Sequence, residues 1–141
     1  MAMKSFEDTA YWKFLQISIR VRHDVAKLAD MYDMSVMQLV TLCSLKPGEA
    51  IQMNMMSTLL VCDASNVTGI VDRLVQRGFI SREEGEEDRR VKVIRLTAKG
   101  ARLRETLIRE IDRTQPESMS ALTPKEFETL NTLVKKALSS K

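Results

Sequence analysis

At 141 residues the chain is long enough for one domain with a real hydrophobic core, and 44% hydrophobic with 29% charged residues is a soluble globular composition. No apolar run approaches the roughly 20 residues of a bilayer span, and the opening MAMKSFEDTA lacks the apolar segment of a signal peptide, so the expectation is a cytoplasmic protein without membrane contact. Net charge is +3 with a pI near 9.0, a mildly basic balance that is weak evidence for nucleic acid until a symmetric dimer doubles it on one side.

In chain order, Ser5 to about Tyr32 contains no Pro or Gly and reads as one long helix. Tyr11, Leu15, Val25 and Leu28 approximate its stripe, and Phe6, Trp12, Phe14 and Ile17 widen it beyond what a small domain can bury alone, which points to a partner chain. Asp33-Met34 breaks this helix. Ser35 and Gln38 then form a capping box, with Met34 and Leu39 placed as a hydrophobic staple, for a helix that runs to about Leu45 before Pro47-Gly48. Ile51 is expected to begin a short strand. Gln52 to Leu60 reads as a helix, Val61-Cys62 as a turn, and Asp63 as the N-cap of the next helix.

That next helix carries Val67, Ile70, Val71 and Leu74 at i, i+3, i+4 and i+7, one buried stripe. Its other face carries Ser65, Asn66, Thr68, Gly69, Arg73 and Gln76, small or hydrogen-bonding residues suited to a groove lined with donors and acceptors. Arg77 extends this face, and Gly78 ends the helix as its C′ residue. Asp72 would repel phosphate and is expected to pair with a nearby Arg. Ile80–Glu83 and Val91–Leu96 read as the strands of a hairpin. Asp88, Arg89, Arg90 and Lys92 stand near its tip, where guanidinium groups can reach a neighbouring minor groove. Between residues 72 and 95 seven cations nearly balance six anions, because Glu83, Glu84, Glu86 and Glu87 crowd the front of the hairpin. Either those glutamates point away from a nucleic acid or the hairpin contributes little affinity.

Thr97 can cap a helix to about Thr114 or Glu117, with Leu103, Leu107, Ile108 and Ile111 as its stripe and Pro116 at its end. Thr123-Pro124-Lys125-Glu126 combines a capping box with Pro at N1, and Leu130, Leu133, Val134, Ala137 and Leu138 line the last helix.

The run SNVTGIVDRLVQRGFI followed by DRRVKVIRLTAKG closely resembles the winged helix-turn-helix of MarR-family bacterial transcription regulators, in motif order and spacing. The resemblance implies a mostly α fold with a small β-hairpin wing (α+β). Residues 1–33 and 101–141 would form a helical dimerisation region, and residues 34–100 the winged helix-turn-helix lobe. It implies a homodimer on a pseudo-palindromic operator in double-stranded DNA, with recognition helices about 34 Å apart. It also implies an Asp88 that orients a groove-entering Arg90, with Arg89 second, and repression relieved by a small-molecule effector.

Blander readings stand beside these. Cys43 and Cys62 make no disulfide scaffold, and although part of the family senses redox state, both sit among apolar neighbours without a nearby cation to lower a thiol pKa. The methionines at 31, 34, 37, 53, 55 and 56 can line an effector pocket, but Met is more often core filler. His23 has no second ligand, so neither a zinc site nor any other cofactor is expected. No nucleophile–base pair supports an enzyme. The alternative function is a winged-helix dimer that has lost DNA binding and serves as a protein-interaction module, a reading the acidic wing motivates.

Overall fold

The computed structural model describes residues 4–60 and 64–139, with the side chains of Ala64 and Ser65 outside that description. The expected Val61-Cys62 turn and Asp63 cap fall outside it as well. The described elements are α1 (Ala10–Met31), α2 (Val36–Ser44), β1 (Ala50–Gln52), α3 (Met53–Leu60), α4 (Ala64–Gln76), β2 (Ile80–Glu84), β3 (Lys92–Leu96), α5 (Ala98–Arg113) and α6 (Pro124–Ser139). The chain divides into two compact units: Ala29–Asp112, and the residues up to Leu28 together with those from Arg113 onward.

In the Ala29–Asp112 unit, local capping sets most boundaries. α1 ends where the Met34 N–H bonds the Ala29 carbonyl and the Asp33 N–H bonds the Asp30 carbonyl, a Schellman turn with Asp33 in the left-handed region at φ 53°. Asp is one of the few non-glycine residues that tolerates this conformation. The Ser35–Gln38 capping box then starts α2, and the staple residues Met34 and Leu39 are both buried. The sheet order is β1-β3-β2, all antiparallel, with Ile51 opposite Ile94 and Ile80 opposite Leu96. α4 packs on α2, α3 and β2. Its Val67, Val71 and Leu74 join Leu39, Leu42, Leu45, Met56, Ile80, Ile94 and Leu107 in one core, with Ile70 half-buried at the edge of the stripe. Thr97 caps α5 by accepting the Gly100 N–H at 3.0 Å.

The other unit holds the first part of α1 and all of α6. The long N-terminal helix starts later than its sequence suggests. Phe6–Asp8 is a separate 3₁₀ turn, and Thr9 accepts the Trp12 N–H at 3.2 Å as the helix cap. A cap residue of that type competes with helix continuation, which the absence of Pro and Gly does not reveal. α5 likewise stops at Arg113, and a second 3₁₀ turn, Glu117–Met119, follows Pro116. Asp24 accepts the Ser118 N–H at 2.9 Å and Lys27 pairs with Glu117 at 2.5 Å, which fixes that turn against α1. α6 starts at its expected box: Thr123 donates to Glu126, and the Glu126 N–H returns to the Thr123 hydroxyl. Phe14, Ile19, Leu133 and Leu138 stay exposed at 68%, 67%, 59% and 81%.

Gly100 supplies the sharpest test of this packing. A Cβ there would lie 1.8 Å from the Phe79 carbonyl oxygen. Gly100→Ala is expected to lower stability by about 3 kcal/mol or more, since backbone cannot yield as a side chain does. A denaturant midpoint within error of the parent would refute that close approach.

Candidate nucleic-acid interface

The site starts from one helix. Burial of Val67, Val71 and Leu74 fixes the rotation of α4, so Asn66, Thr68, Gly69, Arg73 and Gln76 are all exposed on its outer surface. Ser65 lies in the same helix, its side chain outside the described residues. Asp72 is taken up as expected: the Arg82 guanidinium of β2 pairs with it at 2.6 Å. No ion pair engages Arg73 among the described residues.

The helix ends in a second Schellman turn, with the Gly78 N–H on Val75 and the Phe79 N–H on Leu74. Gly78 has φ +74°, a conformation that excludes most side chains. Arg77 departs from the role expected of it. Its guanidinium donates to the carbonyls of Asp33 (2.6 Å) and Tyr32 (2.8 Å) and lies over the Phe79 ring at 5.0 Å. Those bonds hold the end of α4 to the α1–α2 turn and leave the guanidinium engaged within the lobe.

Strand pairing orients the wing. Residues of β2 and β3 alternate between two faces. Ile80, Arg82 and Glu84 share one face with Lys92, Ile94 and Leu96, while Ser81 and Glu83 share the other with Val93 and Arg95. Glu84 accepts from Lys92 at 3.3 Å on the first face; Glu83 lies 3.9 Å from Arg95 on the second. At the tip, the Asp88 carboxylate accepts the Arg90 backbone N–H at 2.9 Å, and its carbonyl accepts the Val91 N–H at 3.0 Å. Asp88 therefore fixes the backbone from which Arg90 projects. Arg89 and Arg90 are exposed, and no ion pair engages either among the described residues.

Two clefts flank the wing. One, of about 380 Å³, lies between α4 and the hairpin and is lined by Thr68, Arg90 and Lys92 with Asn54 of α3. The other, of about 450 Å³, is lined by Glu83, Glu84, Glu86, Glu87 and Asp88 with β1 and β3 residues. Arg90 and Lys92 thus meet the α4 face in the first cleft, whereas the carboxylates line the second together with Arg95, and Glu84 pairs with Lys92 across the hairpin. Sequence spacing missed Asn54, because nothing in a one-dimensional pattern brings the first turn of α3 beside the hairpin.

The remaining candidates lie apart. Burial pushes the Cys43 thiol pKa up, with Arg104 partly opposing, so the protonated and unreactive form is favoured. Met34 and Met56 are core, whereas Met31 and Met55 are exposed. His23 borders a shallow cleft with Asp24 and Lys27 on α1. Among the described residues no group of three or more His, Cys, Asp or Glu could hold a metal, and no helix is long and apolar enough to cross a membrane.

Three helices and a short sheet that ends in a projecting hairpin form a winged helix-turn-helix. The MarR family model matches residues 34–92. The chain is 30% identical over 118 residues to the transcriptional repressor MprA of Escherichia coli, covering 84% of this chain and 66% of that protein. It superposes on a mutant MarR from Escherichia coli complexed with operator DNA at TM-score 0.75 and 24% identity, over 96% of this chain and 99% of that one. A second match is Bordetella bronchiseptica BpsR, solved to explain regulation of its DNA binding by 6-hydroxynicotinic acid, at TM-score 0.82 and 19% identity over 99% and 100% of the two chains. The chain belongs to the MarR family. It spans less than two thirds of the length of curated relatives it matches, 66% of MprA and 59% of a Bacillus subtilis regulator.

Two substitutions separate stability from surface function. Gly69 is exposed in mid-helix and a Cβ there meets nothing within 4 Å. Gly69→Ala is expected to raise stability by about 0.5–1 kcal/mol, the helix-propensity difference, in thermal unfolding. Arg77→Ala removes two charge-assisted bonds and should cost about 1–2 kcal/mol; equal stability would mean the Arg77 contact is incidental.

Proposed function

We propose that the protein is a homodimeric, sequence-specific double-stranded DNA-binding transcription regulator, a repressor relieved by a small-molecule effector. One observation carries the reading: Arg73, Arg89 and Arg90 stand exposed and, among the described residues, outside any ion pair, and Arg90 lines a cleft with Thr68 of α4 while the wing carboxylates line another. Cations left free in this way are available to phosphates and base edges. α4 enters a major groove through Ser65, Asn66, Thr68, Gly69, Arg73 and Gln76, and the wing follows the adjacent minor groove with Arg90 leading. Arg77 serves the interface by holding α4 in place. Asp88 acts through the backbone of Arg90.

Residues 1–33 and 101–141 form the dimerisation region of this proposal. The exposed Phe14, Leu15, Ile19, Leu133, Val134 and Leu138 supply the apolar surface that a second copy would cover. Repression is supported by the naming of MprA as a transcriptional repressor, operator binding by the DNA complex of MarR, and effector control by the regulation of BpsR. The proposal places the protein in the cytoplasm and assigns it no catalytic step.

Selection from random duplex DNA at several salt concentrations tests the reading. The expected result is a two-fold symmetric site whose affinity falls steeply with salt, and Arg90→Ala should weaken it by about tenfold or more. Absence of any enriched sequence, with residual binding equal in parent and variant, would overturn it in favour of a protein-interaction module. Leu15→Asp together with Leu133→Asp should shift the sedimenting species towards monomer; an unchanged mass would remove those faces from the dimer interface.

A further inference from the structure

In B-form DNA the sugar–phosphate backbone is what separates a major groove from its neighbouring minor groove. A protein that sets α4 in one and the wing in the other must therefore pass one strand between them. The cleft of about 380 Å³ is the space between those two elements. A few polar groups converge on a lining that is otherwise apolar. Lys92 and Arg90 supply cations on the wing side, Thr68 a hydroxyl on α4, and Asn54 an amide on α3, while Val67 and Val91 give it an apolar strip. α3 begins at Met53, so its first-turn N–H groups border the same cleft. Asn54 is exposed, and its backbone carbonyl accepts the Ser57 hydroxyl at 3.1 Å, which secures the turn that carries it.

We infer that this cleft is the seat of one DNA strand's phosphodiester backbone, and that Asn54 is a phosphate-binding residue that donates its side-chain amide there. The inference rests on the DNA-binding reading above and adds a site to it. Chemistry favours a phosphate over a base edge as the ligand of Asn54. The wing and α4 stand on either side of the cleft, and the groove edges of the bases lie beyond them. The Lys92 ammonium, held 3.3 Å from Glu84, can exchange that carboxylate for a phosphate without leaving the cleft. Phosphate contacts fix register and carry no sequence information directly, which gives Asn54 a signature distinct from that of residues on the reading face.

The test measures duplex affinity for the selected site and for random DNA, with Asn54→Ala, Asn54→Asp and Asn54→Lys in the full chain. Asn54→Ala should weaken both duplexes alike by about tenfold, the worth of one hydrogen bond to a charged acceptor, and leave the selected sequence unchanged. Asn54→Asp should weaken both further. Asn54→Lys should bind more tightly and steepen the salt dependence by about one released counterion. Thermal midpoints equal to the parent's verify that the exposed position leaves the fold intact. If the parent binds duplex and all three variants bind as it does, the inference falls while the regulator reading stands. A changed sequence preference in Asn54→Ala would make Asn54 a base reader and overturn it too. Displacement of duplex by inorganic phosphate at constant ionic strength, abolished in Asn54→Ala, would identify a free-anion site instead. If the parent binds no duplex, both readings fail together.

Discussion

The short backbone segment Gly78-Phe79 is the joint on which the lobe depends. Its N–H groups close the end of α4 through the Val75 and Leu74 carbonyls. Its carbonyls are taken by Thr97, whose hydroxyl donates to Gly78 at 2.6 Å and whose backbone N–H donates to Phe79 at 3.1 Å. Thr97 also caps α5, so the end of the recognition helix, the residue before β2 and the start of α5 meet in one hydrogen-bonded knot. Above it, Arg77 and Lys99 both lie over the Phe79 ring, at 5.0 and 4.8 Å, and Lys99 donates to the Arg77 carbonyl. Each bond is modest alone, but they share partners, and such networks rigidify more than their separate members would. Gly100 lets α5 come so close to the Phe79 carbonyl, and Gly78 supplies the left-handed turn that closes α4.

Much of this was legible in the sequence where a local rule has a residue-level signature. The boxes Ser35–Gln38 and Thr123–Glu126, the cap at Thr97 and the C′ glycine at position 78 each appear as read. These motifs depend on neighbours within four residues, so spacing specifies them. The buried stripe of α4 was readable from apolar periodicity, and the short strand expected at Ile51 is present, paired with Ile94 of the hairpin. The expected pairing of Asp72 with an arginine also holds, through Arg82.

What was not legible was long-range direction. Arg77 follows Gln76 in the chain and looked continuous with the reading face, yet the turn after α4 sends its guanidinium to Tyr32 and Asp33, more than forty residues away. Asn54 drew no notice, because its neighbours Arg90 and Lys92 are far off in sequence. The wing posed a fork between glutamates turned away and a wing of little use. The two clefts, not composition, divide the charges: Arg90 and Lys92 line the one beside α4 and the carboxylates the other, although strand register keeps Glu84 on the Lys92 face. The late start of α1 was missed for a simpler reason: Thr9 is a moderate cap and only its hydroxyl geometry distinguishes it from a helical threonine.

The carboxylates around the wing have a consequence for search. A nearly neutral wing offers bulk chromosomal DNA little counterion release, and that release is the main source of non-specific affinity. For the regulator proposed here, residence on random sequence is correspondingly brief. Lys92 leans on Glu84 and Arg82 on Asp72 while the protein scans, and only a site that also satisfies the α4 face holds the molecule long enough for the free Arg90 to settle. Fast release from the wrong sequence leaves more of a small pool of protein free to reach the right one.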